Sequence, residues 1–270
     1  MRARHIACVA ACVIGLGSLL SCGGGSGSQA ACVNPPVVRD PSSRHRLSYE
    51  CAVLGDGQRS FFLAGAGGSE GFLYLPAARK AAIIDKLAAE GGNAIYFQSV
   101  RSHGGDGASS DNPFVGGDPS KGINDRVLDD WETYFERMDD TGIALFFFLY
   151  DDGAQPFGCA VPLSHAEREY IGTIVTRFRE HRHLIWMTQE EFQNGGCPDP
   201  AARQRAIAAV IRANDSAHAI GVHHMNGQAM QFGGDPNIRV YGQQAAAAPG
   251  PVSRACTTRW EKRDGVIGSM

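Results

Sequence analysis

The chain has 270 residues, a formal net charge of −3, 43% apolar residues and 20% charged residues. Acidic and basic residues are interspersed and no basic run is present, so nothing in the composition indicates a nucleic-acid partner. Once the N-terminal segment is set aside, about 240 residues remain. That length is enough for one α/β domain with a full core, and it is close to the lower limit for a complete β/α barrel.

The N-terminus has the pattern of an export signal. A basic start precedes an apolar run from Ile6 to Leu20, which is too short to cross a bilayer as a mature helix. The Leu-Leu-Ser before Cys22 and the Gly/Ser-rich stretch after it resemble a bacterial lipobox. We therefore expect a lipoprotein signal over 1–21 and a flexible tether over 22–32, with the exported chain anchored to the membrane of the cell envelope through lipidated Cys22. A signal that is cleaved without lipidation, giving a secreted protein, is the alternative.

Export places the mature chain in an oxidising compartment. Of the eight cysteines in the chain, two lie in the signal and one is the predicted anchor, which leaves five. Cys32 and Cys51 are expected to pair near the N-terminus, and Cys159 and Cys197 follow two successive strands and are predicted neighbours. Cys256 is then left over, which in an exported protein needs an explanation. No Cys-x2-Cys pair is present, so we expect no zinc site and no other cofactor.

Strand and helix signals alternate after an N-terminal extension over 33–60. Residues 61–64 predict a first strand, 77–89 a helix that a Gly-Gly pair ends, and 93–97 a second strand. A loop rich in Gly, Ser and Asp then runs from 99 to about 122. A loop of this length inside a compact domain is usually functional.

The second half of the chain continues the alternation. The apolar runs 143–150 and 184–187 predict strands buried on both faces. Ser164 and Glu167 predict a capping box that opens a helix. The other predicted elements are helices over 125–140 and from Pro200 onward, and strands over 219–223 and 238–241.

Alternating strands and helices predict a parallel sheet with right-handed crossovers, either an open doubly wound sheet or a closed barrel. The Gly-rich turns 65–68 and 104–107 match neither G-x-G-x-x-G entering a helix directly nor a Walker lysine motif. Glu190 and Glu191 follow the 184–187 strand directly, and in barrels the C-terminal strand ends carry the chemistry. The pair favours a TIM (β/α)8-type barrel over 61–270, of which about six βα units are visible. A helix N-terminus rich in glutamate is the alternative for this pair.

Five segments share their order and content with one known group of proteins: Phe61–Leu73; Gly92–Phe97 with His103-Gly-Gly-Asp106; Asp130–Ile143; Tyr170–Phe178 with Leu184–Trp186 and Glu190-Glu191; and Asn214-Asp215 with His218 and Val222-His223. Together they resemble bacterial glycoside-hydrolase-like barrels of the large clan of retaining (β/α)8 glycosidases, the cellulase-like superfamily. The resemblance runs from about residue 61 to 241, most of the mature chain.

In that clan the general acid/base ends strand four, often as Trp-x-x-x-Asn-Glu. Counting from Trp186, Glu190 stands in the Asn place and Glu191 in the catalytic place. The resemblance therefore implies Glu191 as general acid/base and Glu190 as a substrate-binding residue. A carboxylate at the Asn place can accept from a sugar hydroxyl but cannot donate to it. Its like charge would also raise the pKa of Glu191, which suits a general acid.

A retaining mechanism needs a second carboxylate about 5–5.5 Å away as nucleophile. The clan supplies that carboxylate from strand seven, whereas six strands can be counted in this sequence. Glu261 follows no convincing strand, and it is the weaker of two alternatives. The favoured alternative is that the chain ends before the nucleophile, with which the leftover Cys256 agrees.

Six further residues lie near the predicted mouth of the barrel and are candidate substrate-binding residues: Glu70, His103, Asp106, Asp151, His223 and Gln243. Most of them have an ordinary alternative role in a loop or turn. His223 is preferred over His224, because adjacent strand residues face opposite sides of a sheet.

The sequence thus predicts a glycoside hydrolase that cleaves a poly- or oligosaccharide. The main alternative is a noncatalytic surface lipoprotein that keeps the barrel to bind carbohydrate, which the missing strand-seven carboxylate supports. A doubly wound enzyme such as an esterase ranks below both, because the chain has no Gly-x-Ser-x-Gly elbow.

Overall fold

The computed structural model describes residues 37–39, 47–49, 65, 70–102, 110–243 and 266–269. Three 3-10 turns also lie in these ranges, at Phe72–Tyr74, Val115–Gly117 and Pro119–Lys121. The strands and α-helices, in chain order, are β1 (Val37–Arg39), β2 (Leu47–Tyr49), α1 (Ala77–Ala89), β3 (Ala94–Val100), α2 (Asp125–Thr141), β4 (Ala144–Tyr150), α3 (His165–Phe178), β5 (Leu184–Gln189), α4 (Pro200–Asn214), β6 (Ala219–His224), β7 (Ile238–Gln243) and β8 (Val266–Ser269).

The main sheet is parallel and its strands follow chain order. Within the described residues it runs β3-β4-β5-β6-β7-β8, while β1 and β2 form a separate antiparallel pair. A doubly wound sheet would reverse its strand order at a switch point, and this one does not. The prediction of a barrel-type sheet is therefore confirmed. The described strands do not close into a ring, since β3 and β8 stand at the two ends of the strand order.

The predicted strand over 61–64 lies outside the described residues. The next residue, Gly65, pairs in parallel with Ala94 on the edge of β3. A side chain at Gly65 would collide there, because an added Cβ would lie 2.1 Å from the Ala94 carbonyl oxygen. Glycine at this position therefore allows the backbone to approach β3.

Strand β8 was missed in the count of strands from the sequence, and that count is corrected here. Val266–Ser269 pairs in parallel with β7, from Val240 opposite Val266 to Gln243 opposite Ser269. The segment has four residues and contains a glycine, so it offers neither the length nor the alternation that identifies a strand. Glu261, which was considered above as an alternative nucleophile, lies outside the described residues.

The sheet is buried on both faces, as the continuous apolar runs predicted. One apolar layer lies between the sheet and the helices and includes Phe97, Phe147 and Trp186. A second layer on the opposite face includes Phe148 and Met187. Because successive residues of a strand point to opposite faces, β4 and β5 supply both layers.

The helical periodicities also predicted the helices correctly. In α2 the residues at spacings of three and four are all buried: Leu128, Trp131, Phe135 and Met138. None of the helices in the described ranges is both long and apolar enough to cross a membrane.

The capping box predicted at α3 forms only in part. The Ser164 hydroxyl accepts from the Glu167 backbone N–H at 3.2 Å, as expected of an N-cap. The Glu167 carboxylate does not reach back to the cap. It pairs with Arg203 of α4 at 2.6 and 3.2 Å and accepts from the Tyr150 hydroxyl at 3.0 Å. A buried guanidinium that offers two charged hydrogen bonds outcompetes a single backbone N–H.

One of the predicted cysteine pairs is confirmed. Cys159 and Cys197 form a disulfide that ties the β4–α3 loop to the β5–α4 loop. The other cysteines weighed above, Cys22, Cys32, Cys51 and Cys256, lie outside the described residues.

Candidate active site

The carboxyl ends of the parallel strands meet at one end of the sheet, and Glu190 and Glu191 lie there. The Glu190 backbone N–H donates to the Tyr150 carbonyl at 3.0 Å, which continues the pairing of β5 with β4. The backbone position of Glu190 is therefore fixed by the sheet itself.

The side chain of Glu190 reaches across to β3. Gln98, which is fully buried, donates from Nε2 to Glu190 Oε2. The Gln98 Oε1 atom in turn accepts from the guanidinium of Arg101. The three side chains form a continuous hydrogen-bonded chain at the carboxyl end of the sheet.

The environment of Glu190 favours its protonated form. Burial is the largest cause, and the negative charges of Glu70, Asp152, Glu191 and Asp151 act in the same direction. Together they raise the pKa of Glu190 to about 8. A carboxyl with such a pKa carries a proton at neutral pH and is able to give it away.

Glu191 has a different setting although it is the next residue. Its φ of 33° lies in the left-handed region, which costs energy for a residue with a side chain. Its backbone N–H donates to His223 Nδ1 at 3.3 Å, and its carboxylate accepts from the Asn194 amide at 2.7 Å. Burial, followed by the charge of Asp152, raises the pKa of Glu191.

His223 and His224 point in opposite directions, as strand geometry predicted. The His223 ring packs edge-on against Phe148 of the second apolar layer, at 6.0 Å between ring centroids. His224 instead packs against Phe192 and Phe232 at 5.1 and 5.7 Å. Burial lowers the pKa of His223 to about 4, so its ring is neutral at pH 7. Because Nδ1 accepts from Glu191, the ring proton is assigned to Nε2, which is a donor.

Glu70 approaches the same stretch of β3. Its backbone carbonyl accepts from the Gln98 N–H at 3.1 Å, and its carboxylate accepts from the Tyr96 hydroxyl at 2.7 Å. Burial, helped by Glu70, raises the pKa of Tyr96, so the hydroxyl stays a donor. Tyr96 and Gln98 lie two positions apart and share one face of β3. This face therefore carries the contacts of both Glu70 and Glu190.

The other predicted site residues divide into three groups. Asp151 is buried, and its carboxylate accepts from the backbone N–H groups of Ser102, Gly153 and Ala154, so its contacts are those of a loop anchor. Gln243 ends β7 and is partly buried. His103 and Asp106 lie outside the described residues. Substrate binding by these residues stays a prediction.

Four residues belong to the site but were not singled out from the sequence: Gln98, Arg101, Tyr96 and Asn194. Gln98 did carry a signal, because it is a polar residue that follows the apolar start of a strand and is buried near the C-terminal end of that strand. Its partner Glu190 is 92 positions away, and the order of the sheet is needed to connect them. In the part of the chain that the structure describes, no group of three or more His, Cys, Asp or Glu side chains is arranged to hold a metal ion.

No protein-family model and no curated protein matches the chain. Several solved structures do match. A candidate glycoside hydrolase from Bacteroides vulgatus aligns with a TM-score of 0.67 at 16% identity, covering 90% of this chain and 48% of that one. A glycoside hydrolase family 5 protein from the same bacterium gives 0.64 at 16%, covering 87% and 53%. The endo-1,4-beta-mannanase of Rhizomucor miehei gives 0.63 at 11%, covering 86% and 80%.

These likenesses establish the fold. The chain has the fold of the glycoside-hydrolase-like TIM barrels, which confirms the fold that the resemblance implied. It spans about half the length of the two Bacteroides structures. Identities of 11–16% carry the fold and no more.

Proposed function

We propose that this chain hydrolyses glycosidic bonds in a poly- or oligosaccharide. The observation that carries the proposal is the carboxyl pair at the end of β5, in which Glu190 is held by Gln98 and has a pKa raised to about 8. Hydrolysis of a glycosidic bond needs a protonated carboxyl to assist the departing oxygen. The barrel fold, which this chain has in common with glycoside hydrolases, supports the same reaction class.

The proton donor in this proposal is one of the two adjacent carboxyls. The family resemblance assigns general acid/base chemistry to Glu191 and hydroxyl binding to Glu190. Glu70, His223 and Gln243 lie at the ends of strands or beside them and are proposed to bind sugar hydroxyls. His223 would donate through Nε2 and Glu70 would accept.

We also propose a retaining mechanism, which requires a second carboxylate about 5–5.5 Å from the first. Strand β8, Val266–Ser269, contains no carboxylate. The nucleophile is therefore not among the described residues of that strand. Carbohydrate binding without hydrolysis is the second candidate function.

The purified chain, incubated with a panel of β-linked polysaccharides, should release reducing ends. Glu190→Gln and Glu191→Gln should each retain the circular dichroism spectrum of the parent, and replacement of the proton donor should lower turnover by about 10²–10⁴-fold. Glu180→Gln serves as a matched control, because this carboxyl is exposed and precedes β5 at the opposite end of the sheet. Oligosaccharide binding by calorimetry without any release of reducing ends would support the carbohydrate-binding alternative.

Export with lipid anchoring at Cys22 remains a further proposal, resting on the N-terminal pattern. In a bacterial host, labelled fatty acid should enter the full chain and should not enter Cys22→Ser. Equal labelling of both chains would contradict the anchor, and release of a cleaved, unlabelled product would favour a secreted protein.

A further inference from the structure

The hydrogen-bonded chain from Arg101 to Glu190 has only one possible direction. A guanidinium donates and never accepts, so the Gln98 atom that faces Arg101 must be the carbonyl oxygen Oε1. The other end of the same amide, Nε2, then faces Glu190 and donates to it. Arg101 therefore determines which way the Gln98 amide is turned.

The orientation of the Gln98 amide gives the two carboxyl oxygens of Glu190 different hydrogen-bonding roles. Oε2 receives the Gln98 N–H and acts as an acceptor. A proton on this carboxyl is therefore assigned to Oε1, because the carbonyl oxygen of a protonated carboxyl is the better acceptor. Oε1 has no hydrogen-bond partner among the residues that the structure describes. Four carboxyls around Glu190 favour its protonated form: Glu70, Asp151, Asp152 and Glu191. Arg101 lies behind Gln98, and the Tyr96 hydroxyl, which interacts electrostatically with Glu190, stays protonated.

Glu191 lacks such an arrangement. Its carboxylate contacts the side chain of Asn194, which lies three residues later on the same loop. Its backbone has a left-handed φ of 33°. Burial and Asp152 act on Glu191, whereas four carboxylates act on Glu190.

We propose that Glu190 is the proton-donating residue of this site and carries its proton on Oε1, with Gln98 and Arg101 as positioning residues. This inference rests on the proposed glycosidase function and changes the assignment that the resemblance gives, which places the donor at Glu191. In this arrangement Glu191 and its partner Asn194 line the site on the side of β6.

Proton donation by Glu190 begins at its Oε1–H bond, which breaks as the proton passes to the glycosidic oxygen. The bond between that oxygen and the anomeric carbon breaks, and its electron pair leaves with the alcohol. The second carboxylate that the retaining mechanism requires bonds to the anomeric carbon as the alcohol leaves. Water then displaces that carboxylate, leaves its hydroxyl on the anomeric carbon and returns one proton to Glu190.

The location of the proton can be measured without turnover. Infrared difference titration of the full chain should find a carboxyl that titrates near pH 8. That signal should vanish in Glu190→Gln and persist in Glu191→Gln. Its loss in Glu191→Gln instead, or the absence of any carboxyl titrating above pH 7 in the parent, would overturn the inference.

A matched pair of variants tests the positioning role. Gln98→Met keeps the length of the side chain but removes the N–H that stabilises the charged form of Glu190, so the titration should move to higher pH. Asn194→Leu removes the equivalent donor from Glu191 and should leave the titration near pH 8 unchanged. A Gln98 residue that only filled space would leave the titration of Gln98→Met in place.

Kinetics separates this inference from the proposed function. With aryl glycosides of decreasing leaving-group acidity, Glu190→Gln should lose progressively more activity, up to about 10²–10⁴-fold, and Glu191→Gln should show no such trend. The trend in Glu191→Gln alone would overturn the inference and leave the glycosidase function intact. If the parent hydrolyses no glycoside at all, the proposed function fails, and the infrared titration still decides where the proton resides.

Discussion

Single residues at the end of β5 decide how two neighbouring carboxyls come to point at different partners. Glu190 keeps the pairing of the strand and reaches Gln98, while the left-handed φ of Glu191 turns the chain toward Asn194. Glycine adopts such a φ without penalty, and a residue with a Cβ does not. A side chain retained there at a cost in stability is consistent with a functional role for Glu191.

The cost of that backbone conformation can be measured by comparing two truncations. Glu191→Gly and Glu191→Ala both remove the carboxylate, but only glycine relieves the strain at φ 33°. We expect Glu191→Gly to have the higher free energy of unfolding by about 1 kcal/mol. Urea unfolding of the two variants at one pH provides the comparison. Equal stability would mean that the conformation of residue 191 is not strained.

At the residue scale, the sequence predicted the location of both carboxyls but not the orientation of their side chains. Trp186 and the apolar strand before Glu190 were enough to locate the pair at a strand end. The direction of the Glu190 side chain depends on Gln98, and the backbone N–H of Glu191 is held by His223, and these partners lie 92 and 32 positions away. No local pattern encodes contacts of that separation.

Among the elements, α3 and α4 are joined by a buried ion pair. Glu167 and Arg203 each have a side chain that is 1% exposed, and the Tyr150 hydroxyl completes the group. Such a pair is weak evidence for stability by itself, because both charges lose their hydration. Removal of one partner is costly, since it leaves the other charge buried without compensation.

We therefore expect Arg203→Met to lower the free energy of unfolding by about 3–5 kcal/mol. The double variant Arg203→Met with Glu167→Leu should recover much of that loss, because no charge is then left buried. Chemical unfolding of the parent, the single variant and the double variant tests both statements. A double variant no more stable than Arg203→Met would show that packing, rather than the uncompensated charge, accounts for the loss.

The same pair explains why element boundaries were easier to predict than element chemistry. Helical spacing in α2 and the apolar run of β4 act within a few residues, and both elements formed where expected. The use of Glu167 depends on Arg203, 36 residues later, and the capping-box pattern had no information about it. Strand β8 was missed for a related reason, because its evidence is the neighbouring β7 rather than its own four residues.

At the scale of the whole molecule, buried titratable groups at both ends of the sheet give stability a calculable dependence on pH. His223 and His224 have pKa values lowered to about 4 from 6.5, so between these values the unfolded chain binds more protons and stability rises with pH. Glu190 acts in the opposite direction. Its pKa is about 8 in the folded state against an ordinary value of 4.5, so stability falls as pH rises through that window. The pKa of Glu191 is also raised from the ordinary value of 4.5, so it too makes stability fall as pH rises.

His181 also contributes to the fall in the free energy of unfolding as pH rises. It lies at the amino end of β5 and bonds Asp139 and Glu132 at 3.0 and 2.9 Å, and these partners raise its pKa above 6.5 against the effect of burial. Its contribution is fully present below pH 6.5 and is lost as pH rises through the folded-state pKa. Above about pH 6.5 the two buried histidines of β6 no longer add stability, while Glu190 and His181 both lose it.

The free energy of unfolding should therefore reach its maximum near pH 6.5, which urea unfolding at a series of pH values will locate. The stability of Glu190→Gln should decline less steeply than that of the parent between pH 6.5 and 8, because one of the contributions that fall with rising pH is removed. Asp235→Asn, far from both groups in the sequence, is a control that should keep the slope of the parent. An unchanged alkaline slope in Glu190→Gln would mean that this carboxyl is already ionised in the folded protein at pH 6.5, and the assignment of Glu190 as proton donor would fall with it.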